Sequence, residues 1–208
     1  MIFCDFDGTI TAKDTLEAFI ESFIGPDIWT ISERMLKEGY TVKRGIKELM
    51  GMIRSEDYLN GLHLFKDLPI REGFGEFLDC CGSLGIPVVV LSGGIKEMTE
   101  EALAPYMDKI HDLWAGSVDT SGEYIRFYSD YETETELMGK INIIKRYDFE
   151  KVIAIGDSYT DFEMGSFADI TFARDRLAAA LENDGKPFFP FETFCDIIPE
   201  LQKLFGGE

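Results

Sequence analysis

The sequence predicts an α/β fold, a doubly wound parallel-sheet core that carries a small all-helical insertion. Three observations lead there. Short apolar runs at residues 1–4, 86–91 and 152–155 read as strands buried on both faces, as parallel strands are. From residue 70 onward, such runs alternate with helix-patterned segments. Between residues 13 and 69, four helix-patterned segments follow one another with no strand between them. The expected organisation is a core of residues 1–12 and 70–208, with a helical cap of residues 13–69 inserted after the first strand.

The elements follow in order. Met1-Ile2-Phe3-Cys4 forms the first strand and runs into Asp5 and Asp7, after which Gly8 and Thr9 turn the chain. Alternate residues of a strand share a side, but the turn at Gly8 is expected to swing Asp7 outward. Leu16, Phe19, Ile20 and Phe23 recur at helical spacing over residues 14–24, and Asp14 followed by Glu17 has the form of a capping box. A second helix is expected from Pro26 to Lys37, stopping at Gly39. Thr41 can cap a third, with Val42, Ile46, Leu49, Met50 and Ile53 on one face. Ser55 can cap a fourth that runs to Leu64 or Phe65, before the boundary at Pro69. A helix over 73–83 leads to the strand at 86–91, which Ser92-Gly93-Gly94 ends, and a Glu-rich helix follows to Tyr106. Residues 110–117 and 123–129 are expected to pair around Ser121-Gly122. After an acidic stretch at 130–139 come a helix at 140–147 and a strand at 152–155 that ends in Gly156-Asp157. Ile170-Thr171-Phe172 is a short strand between two helices, and a helix over 194–205 closes the chain against the sheet.

Composition narrows the function. The 208 residues suffice for a full core. Twenty Lys and Arg stand against 39 Asp and Glu, a formal net charge of −19. Such a surface repels nucleic acid and anionic membranes, so neither is an expected partner, and an anionic substrate would need a local positive pocket. Met1 leads straight into a strand without a charged signal region, and the run at 86–91 is too short to span a bilayer. Cys4, Cys80, Cys81 and Cys195 lack zinc spacing, and adjacent Cys80 and Cys81 are poorly placed to bridge each other, so reduced thiols in a cytoplasmic protein are expected. The two histidines, His63 and His111, have no Cys or carboxylate pattern around them, which argues against a His-built zinc site and a Ser-His triad.

The residues suited to chemistry fall at strand ends or at a helix start: Asp5 and Asp7, Ser92, Asp157 and Asp161 within Gly156-Asp157-Ser158-Tyr159-Thr160-Asp161, and Lys140. In a doubly wound sheet these ends converge on one edge. Two acidic pairs there repel each other and lose hydration, so they need a cation or shared protons. Singly, each residue has a plainer reading. Asp7 suits a turn, Ser92 could cap the next helix, and Lys96, Lys145 and Lys151 compete with Lys140. Gly156-x-Ser158 lacks the second glycine of a nucleophile elbow at position 160. Cys4 fits a small buried side chain better than a redox centre.

Together, Asp5-Phe6-Asp7-Gly8-Thr9, Ser92, Lys140 and Gly156-Asp157-Ser158-x-x-Asp161 resemble, in order, the motifs of the haloacid dehalogenase-like superfamily. The resemblance implies a Rossmann-like core and a Mg²⁺-dependent phosphomonoesterase acting on a small phosphorylated metabolite. Asp5 would be the nucleophile, forming an aspartyl-phosphate, and Asp7 the acid and then the base. Mg²⁺ would be held by Asp5, the main-chain carbonyl of Asp7, and Asp157. Ser92 and the amide of Gly93 would bind phosphoryl oxygens at a helix N-terminus. Lys140 would offset charge on nucleophile and phosphate, and Asp161 would orient Lys140 or a metal-bound water. An aspartate at position 7 favours phosphatases and phosphomutases, since dehalogenases of the superfamily lack it and transport ATPases carry threonine.

The helical insertion is similar to the cap of the phosphoserine-phosphatase branch. There an acid after the first motif takes the substrate amine, and Asp14 stands in that place where Glu is usual. A cap arginine takes the carboxylate; its place falls near Leu49, with Arg44 as a substitute. Asp5-Phe6-Asp7-Gly8-Thr9-Ile10-Thr11, Ile70-Arg71-Glu72-Gly73-Phe74, Ser92-Gly93-Gly94 and Phe172-Ala173-Arg174-Asp175 are closer to the methionine-salvage phosphatases, which act on 2-hydroxy-3-keto-5-methylthiopentenyl-1-phosphate. Phe19, Trp29, Leu49, Met50 and Met52 would either suit a thioether tail or form the cap's own core. A phosphoserine phosphatase, a phosphoserine:homoserine-type phosphotransferase and a catalytically silent phosphate-binding module are the alternatives, since a fold does not fix an activity.

Overall fold

Strands β1 (Ile2–Asp5), β2 (Val88–Ile95), β3 (Asp112–Asp119), β4 (Arg126–Tyr128), β5 (Ile153–Gly156), β6 (Ile170–Ala173) and β7 (Phe189–Pro190) form one sheet in the computed structural model, which describes residues 1–13, 15–25, 27–62 and 68–207. Their spatial order is β4-β3-β2-β1-β5-β6-β7. Every neighbouring pair is parallel except β3 with β4. The chain winds outward from β1 in both directions, so β1 is the switch point at which open α/β sheets place their sites.

Ten α-helices lie among the described residues: α1 (Thr15–Ile24), α2 (Asp27–Lys37), α3 (Val42–Met50), α4 (Ser55–Gly61), α5 (Phe74–Ser83), α6 (Lys96–Leu103), α7 (Lys140–Ile144), α8 (Phe162–Phe167), α9 (Asp175–Asn183) and α10 (Phe194–Phe205). The period-two geometry of strands explains why the central ones read as unbroken apolar runs. Ile2, Cys4, Val88, Val90, Ile153 and Ile155 pack on one face against Phe74 and Phe77 of α5 and Phe194, Ile197 and Leu201 of α10. Phe3, Val89, Leu91 and Ala154 point the other way, to Ile143 and Ile144 of α7 and Met164 of α8. The helix expected at 194–205 is held at its start by a reciprocal Thr193–Asp196 capping box.

Helices α1 to α4 are consecutive and enclose a second apolar cluster that includes Phe19, Ile20, Ile28, Met35, Leu49, Met50 and Tyr58. That cluster also takes in Ile95, Met98, Ile125, Phe127 and Leu137 from elsewhere in the chain. Two connections tie the helices down. Where the chain leaves and re-enters, Thr11 bridges Ile70, the Ala12 N–H donates to the Pro69 carbonyl (3.1 Å) and the Arg71 N–H to that of Ile10 (2.7 Å). At the far side Arg54 bridges Tyr124, with Ser55 N–H to Glu123 O and Ile125 N–H to Ile53 O, both 3.0 Å.

The structure departs from the sequence expectations in identifiable ways. β2 does not end at Ser92; it continues through the two glycines to Ile95, with a register irregularity after Leu91, because β3 still offers Gly116 opposite Ile95. Ser55 does not cap α4. Arg54 flanks that helix, and the Ser55 hydroxyl donates instead to the Gly122 carbonyl, 2.6 Å away. Strand β7 has only two residues, one a proline at the sheet edge, too little for a periodic signal. The proposed starts at Asp14 and Pro26, and the continuation of α4 to residues 64–65, lie outside the described residues.

Candidate active site

Past β1 the chain makes a wide turn over residues 6–10, and Gly8 sits there at φ +80°. A Cβ at Gly8 would stand 2.5 Å from an oxygen of Asp157, so both the backbone and the close approach demand glycine. Arg71 grips this turn through its main chain, donating to the carbonyls of Gly8 (2.6 Å), Thr9 (2.7 Å) and Thr11 (3.2 Å). The turn presents Asp7 half-buried, whereas Asp5, still within β1, is 4 % exposed. One oxygen of Asp7 accepts the N–H of Thr15 (2.9 Å) and the Thr15 hydroxyl, and the other accepts the Ser92 hydroxyl (3.3 Å). Ser92 Oγ in turn accepts the Gly94 N–H at 2.9 Å. A Cβ at Gly94 would lie 2.8 Å from Asp7 Oδ2, so Gly94 keeps that carboxylate's approach open.

The neighbouring strand β5 delivers Asp157 and Asp161. Asp161 is fully buried, and its Oδ2 accepts the N–H groups of Asp157 (3.1 Å) and Ser158 (3.0 Å), while its Oδ1 accepts Lys140 Nζ (2.5 Å). Lys140 opens α7 and is 4 % exposed, with its ammonium between Asp161 and Asp5. Lys96, Lys145 and Lys151 are all exposed. Segment 174–177 braces the acidic turn from below: Arg174 N–H donates to Gly156 O (3.2 Å) and Leu177 N–H to Asp157 O (2.8 Å).

The electrostatics of this group are unbalanced. Burial alone would pull the Lys140 ammonium down, but Asp161 and Asp5 overcome it and hold the group above its ordinary value, fully charged. Burial and then the charge of Asp161 push the Asp5 carboxyl well above the usual range, against the pull of Lys140. The same two causes raise Asp157 to about 6. One lysine does not neutralise three carboxylates. Carboxylate oxygens of Asp5, Asp157 and Asp161 lie within 4.8 Å of one another, and Asp5 Oδ2 is buried without a hydrogen-bond partner. Both oxygens of Asp161 are already engaged, which leaves Asp5 Oδ2 and Asp157 to face a cation. Hard oxygen donors around an orphaned buried carboxylate oxygen fit a divalent ion such as Mg²⁺.

Asp5, Asp7, Gly93, Lys140 and Asp157 all line one cleft of about 890 Å³, and Ser92 and Asp161 stand directly behind them through Asp7 and Lys140. Other residues named from sequence fall elsewhere. Ser92 and Gly93 are not at a helix N-terminus, because β2 runs on to Ile95 and α6 begins at Lys96. The Arg44 guanidinium stacks 3.7 Å over the Tyr40 ring and is not among the described cleft-lining residues. Asp14 lies outside the described residues. Phe19, Leu49 and Met50 are buried in the cap cluster, while Trp29 and Met52 are exposed on its surface; none of the five is among the described lining residues. Leu16, Val42 and Ile46 line it instead. Arg71 and Arg174 carry no site signal of their own in the sequence, although both stand in segments that resemble the methionine-salvage phosphatases, because an arginine that reads main-chain carbonyls leaves no spacing pattern.

An open sheet with its switch point at β1, acidic pairs on two adjacent strand ends and a buried lysine between them define a hydrolase of one superfamily. The sequence profile of the haloacid dehalogenase-like hydrolases matches residues 2–166, and the chain belongs to that family. It is 39 % identical over 200 residues to the 2-hydroxy-3-keto-5-methylthiopentenyl-1-phosphate phosphatase of Microcystis aeruginosa (strain NIES-843), covering 95 % of each chain. To the protein of the same name from Brevibacillus brevis it is 34 % identical over 214 residues, covering 98 % of this chain and 96 % of the other. Among solved structures, phosphoserine phosphatase from T. onnurineus superposes with a TM-score of 0.71 at 18 % identity, covering 97 % and 94 % of the two chains. A phosphoserine phosphohydrolase-like protein from Francisella tularensis does so at 0.72 and 16 %, covering 96 % and 98 %. These last two share the fold. No helix among the described residues is long and apolar enough to cross a membrane.

Proposed function

We propose that the chain is a Mg²⁺-dependent phosphomonoesterase of the cytoplasm that hydrolyses 2-hydroxy-3-keto-5-methylthiopentenyl-1-phosphate through an aspartyl-phosphate on Asp5. Residues 1–12 and 70–208 form the catalytic core in this reading, and residues 13–69 the cap. The observation that carries it is the buried Asp5–Lys140–Asp161 cluster, with Asp5 Oδ2 unpaired beside Asp157. The substrate is supported by relatives of that name, matched over nearly their whole length.

Asp5 attacks phosphorus, so that a bond from its carboxylate to phosphorus forms as the ester P–O bond breaks. Asp7 gives its proton to the departing ester oxygen. In the second half Asp7 takes a proton from water, the water oxygen bonds to phosphorus, and the acyl-phosphate P–O bond breaks to release phosphate and restore Asp5. Ser92 and Thr15 hold Asp7 in place for both transfers, and the amide of Gly93, which lines the cleft, would bind a phosphoryl oxygen beside Ser92. Lys140, fixed by Asp161, offsets charge on nucleophile and phosphate. Asp5, Asp157 and the main-chain carbonyl of Asp7 would hold Mg²⁺, which would supply the positive charge a carboxylate needs to approach a phosphate dianion. Phosphoserine has weaker support: near the place of a carboxylate-binding arginine Leu49 is buried, and Arg44 is stacked on Tyr40.

Hydrolysis of p-nitrophenyl phosphate tests the chemistry. Turnover should require Mg²⁺ and should fall about a thousandfold or more in Asp5→Asn; equal rates would reject Asp5 as nucleophile. In a panel of phosphorylated metabolites, 2-hydroxy-3-keto-5-methylthiopentenyl-1-phosphate should show the highest kcat/KM and phosphoserine a low one. The reverse order would remove the substrate assignment.

A further inference from the structure

The cleft has two unlike ends. One holds the carboxylates and lysine described above. The other is mainly apolar, lined by Leu16 on α1, Val42 and Ile46 on α3, and Leu137 and Met138 ahead of α7, with Glu136 next to them. Val42 and Ile46 are four apart on a helix and therefore share a face. Leu49 and Met50 of the same helix are buried in the cap core, yet Val42 is 57 % exposed. A β-branched side chain left in water beside a catalytic centre, and outside every apolar cluster of the described residues, suits an apolar ligand group.

The charges of α3 point the same way. Lys47 and Lys43 both reach Glu132, at 2.6 and 3.9 Å, and Arg44 is spent on Tyr40. None of these three lines the cleft, and neither does Glu48, the remaining charge of the helix, so the side of α3 that faces it carries no charge. Lys13 and Glu17 are the charged residues that the described part of the cap contributes to the lining, one of each sign.

We propose that this apolar wall, centred on Val42 and Ile46, sets the selectivity of the enzyme. It admits phosphomonoesters whose far end is uncharged and apolar, simple alkyl phosphates as well as thioethers, and disfavours esters too short to reach it. This deepens the phosphatase reading above and rests on it. Each methylene transferred from water to such a wall is worth roughly a fourfold change in an equilibrium or rate ratio.

The test measures kcat/KM for n-pentyl phosphate and methyl phosphate on the Mg²⁺-loaded protein and reports their ratio. The wild type should favour the pentyl ester about tenfold or more. Val42→Asn and Ile46→Asn should each lower that ratio roughly three- to tenfold. The exposure of Val42 keeps its variant folded, and a general folding defect would depress both esters alike and leave the ratio where it was. A wild-type ratio near one, or a ratio unchanged in both variants, overturns the wall. Failure of the wild type to turn over either ester would instead bring down the phosphatase reading.

Discussion

The two ends of the cleft are built by different rules. At the catalytic end, sheet topology fixes positions: β1 and β5 are neighbours in register, so Asp5 and the turn holding Asp157 must meet. Among the described residues, Asp5 Oδ2 is the one buried side-chain oxygen at that end without a hydrogen-bond partner. At the cap end, positions depend on how four short helices rotate against one another. Leu16, Val42 and Ile46 reach the cleft from those helices. In the proposed reading the reacting groups stand on the hydrogen-bonded sheet, and the far end of the substrate meets the helices.

The strongest way to break the first half of that comparison is Lys140→Met. It leaves Asp5 and Asp161 buried and facing each other without a cation. Stability should fall by about 3–5 kcal/mol, read from the denaturant midpoint, because one partner of a buried ionic group has been removed. Phosphatase activity should fall below detection in the fraction that remains folded. A variant of wild-type stability would show that the two carboxylates do not depend on the lysine.

The legibility of the molecule follows the same division. Asp5, Asp7, Asp157, Asp161 and Lys140 could be picked out because each stands where an apolar run stops or a helix starts, and parallel topology gathers such points on one edge. The cap was harder. On α3 the apolar pattern Val42, Ile46, Leu49, Met50 reads as one stripe, but in the structure it divides: Val42 faces the cleft, Leu49 and Met50 lie in the buried helical cluster, and Ile46 lines the cleft while packing against that cluster. Periodicity reports that a face is apolar, not what it is turned toward. Of the five residues suited by type to a thioether tail, Phe19, Leu49 and Met50 are taken up in the buried cluster, while Trp29 and Met52 stand exposed outside the cleft lining.

A weaker perturbation sharpens the comparison by loosening the catalytic turn without touching a reacting group. Arg71→Ala would free the carbonyls of Gly8, Thr9 and Thr11 from the three donors that now fix them. With Asp5 as the proposed nucleophile, its misplacement by an ångström would cost about a hundredfold in kcat/KM. Arg71→Lys should recover little, because a point charge cannot reproduce a planar fork. Full activity in both variants would show that the turn is rigid unaided.

The smallest expected effect is a pH dependence confined to the acidic end. In the metal-free protein, Asp157 is raised to about 6 and Asp5 is raised as well, both by burial first. A carboxyl whose folded pKa exceeds its unfolded one contributes stability that is complete below about pH 4 and lost as pH climbs through about 6. The Tm of metal-free protein should therefore drop between about pH 5 and pH 7. Added Mg²⁺ should raise Tm more at the upper pH, where its ligands are ionised. A flat or rising profile without metal would contradict the charge imbalance at this end.

The bridge between Arg54 and Tyr124, and the sharing of Ile125 and Phe127 with the helical cluster, bear on how specificity could be exchanged among relatives. A chimera spliced only at residues 12 and 70 would import foreign helices onto a hairpin shaped for the originals, stranding its aromatic and aliphatic side chains in solvent. The transferable unit is larger than the helices: a successful graft must carry the β3–β4 hairpin and the following loop along with them.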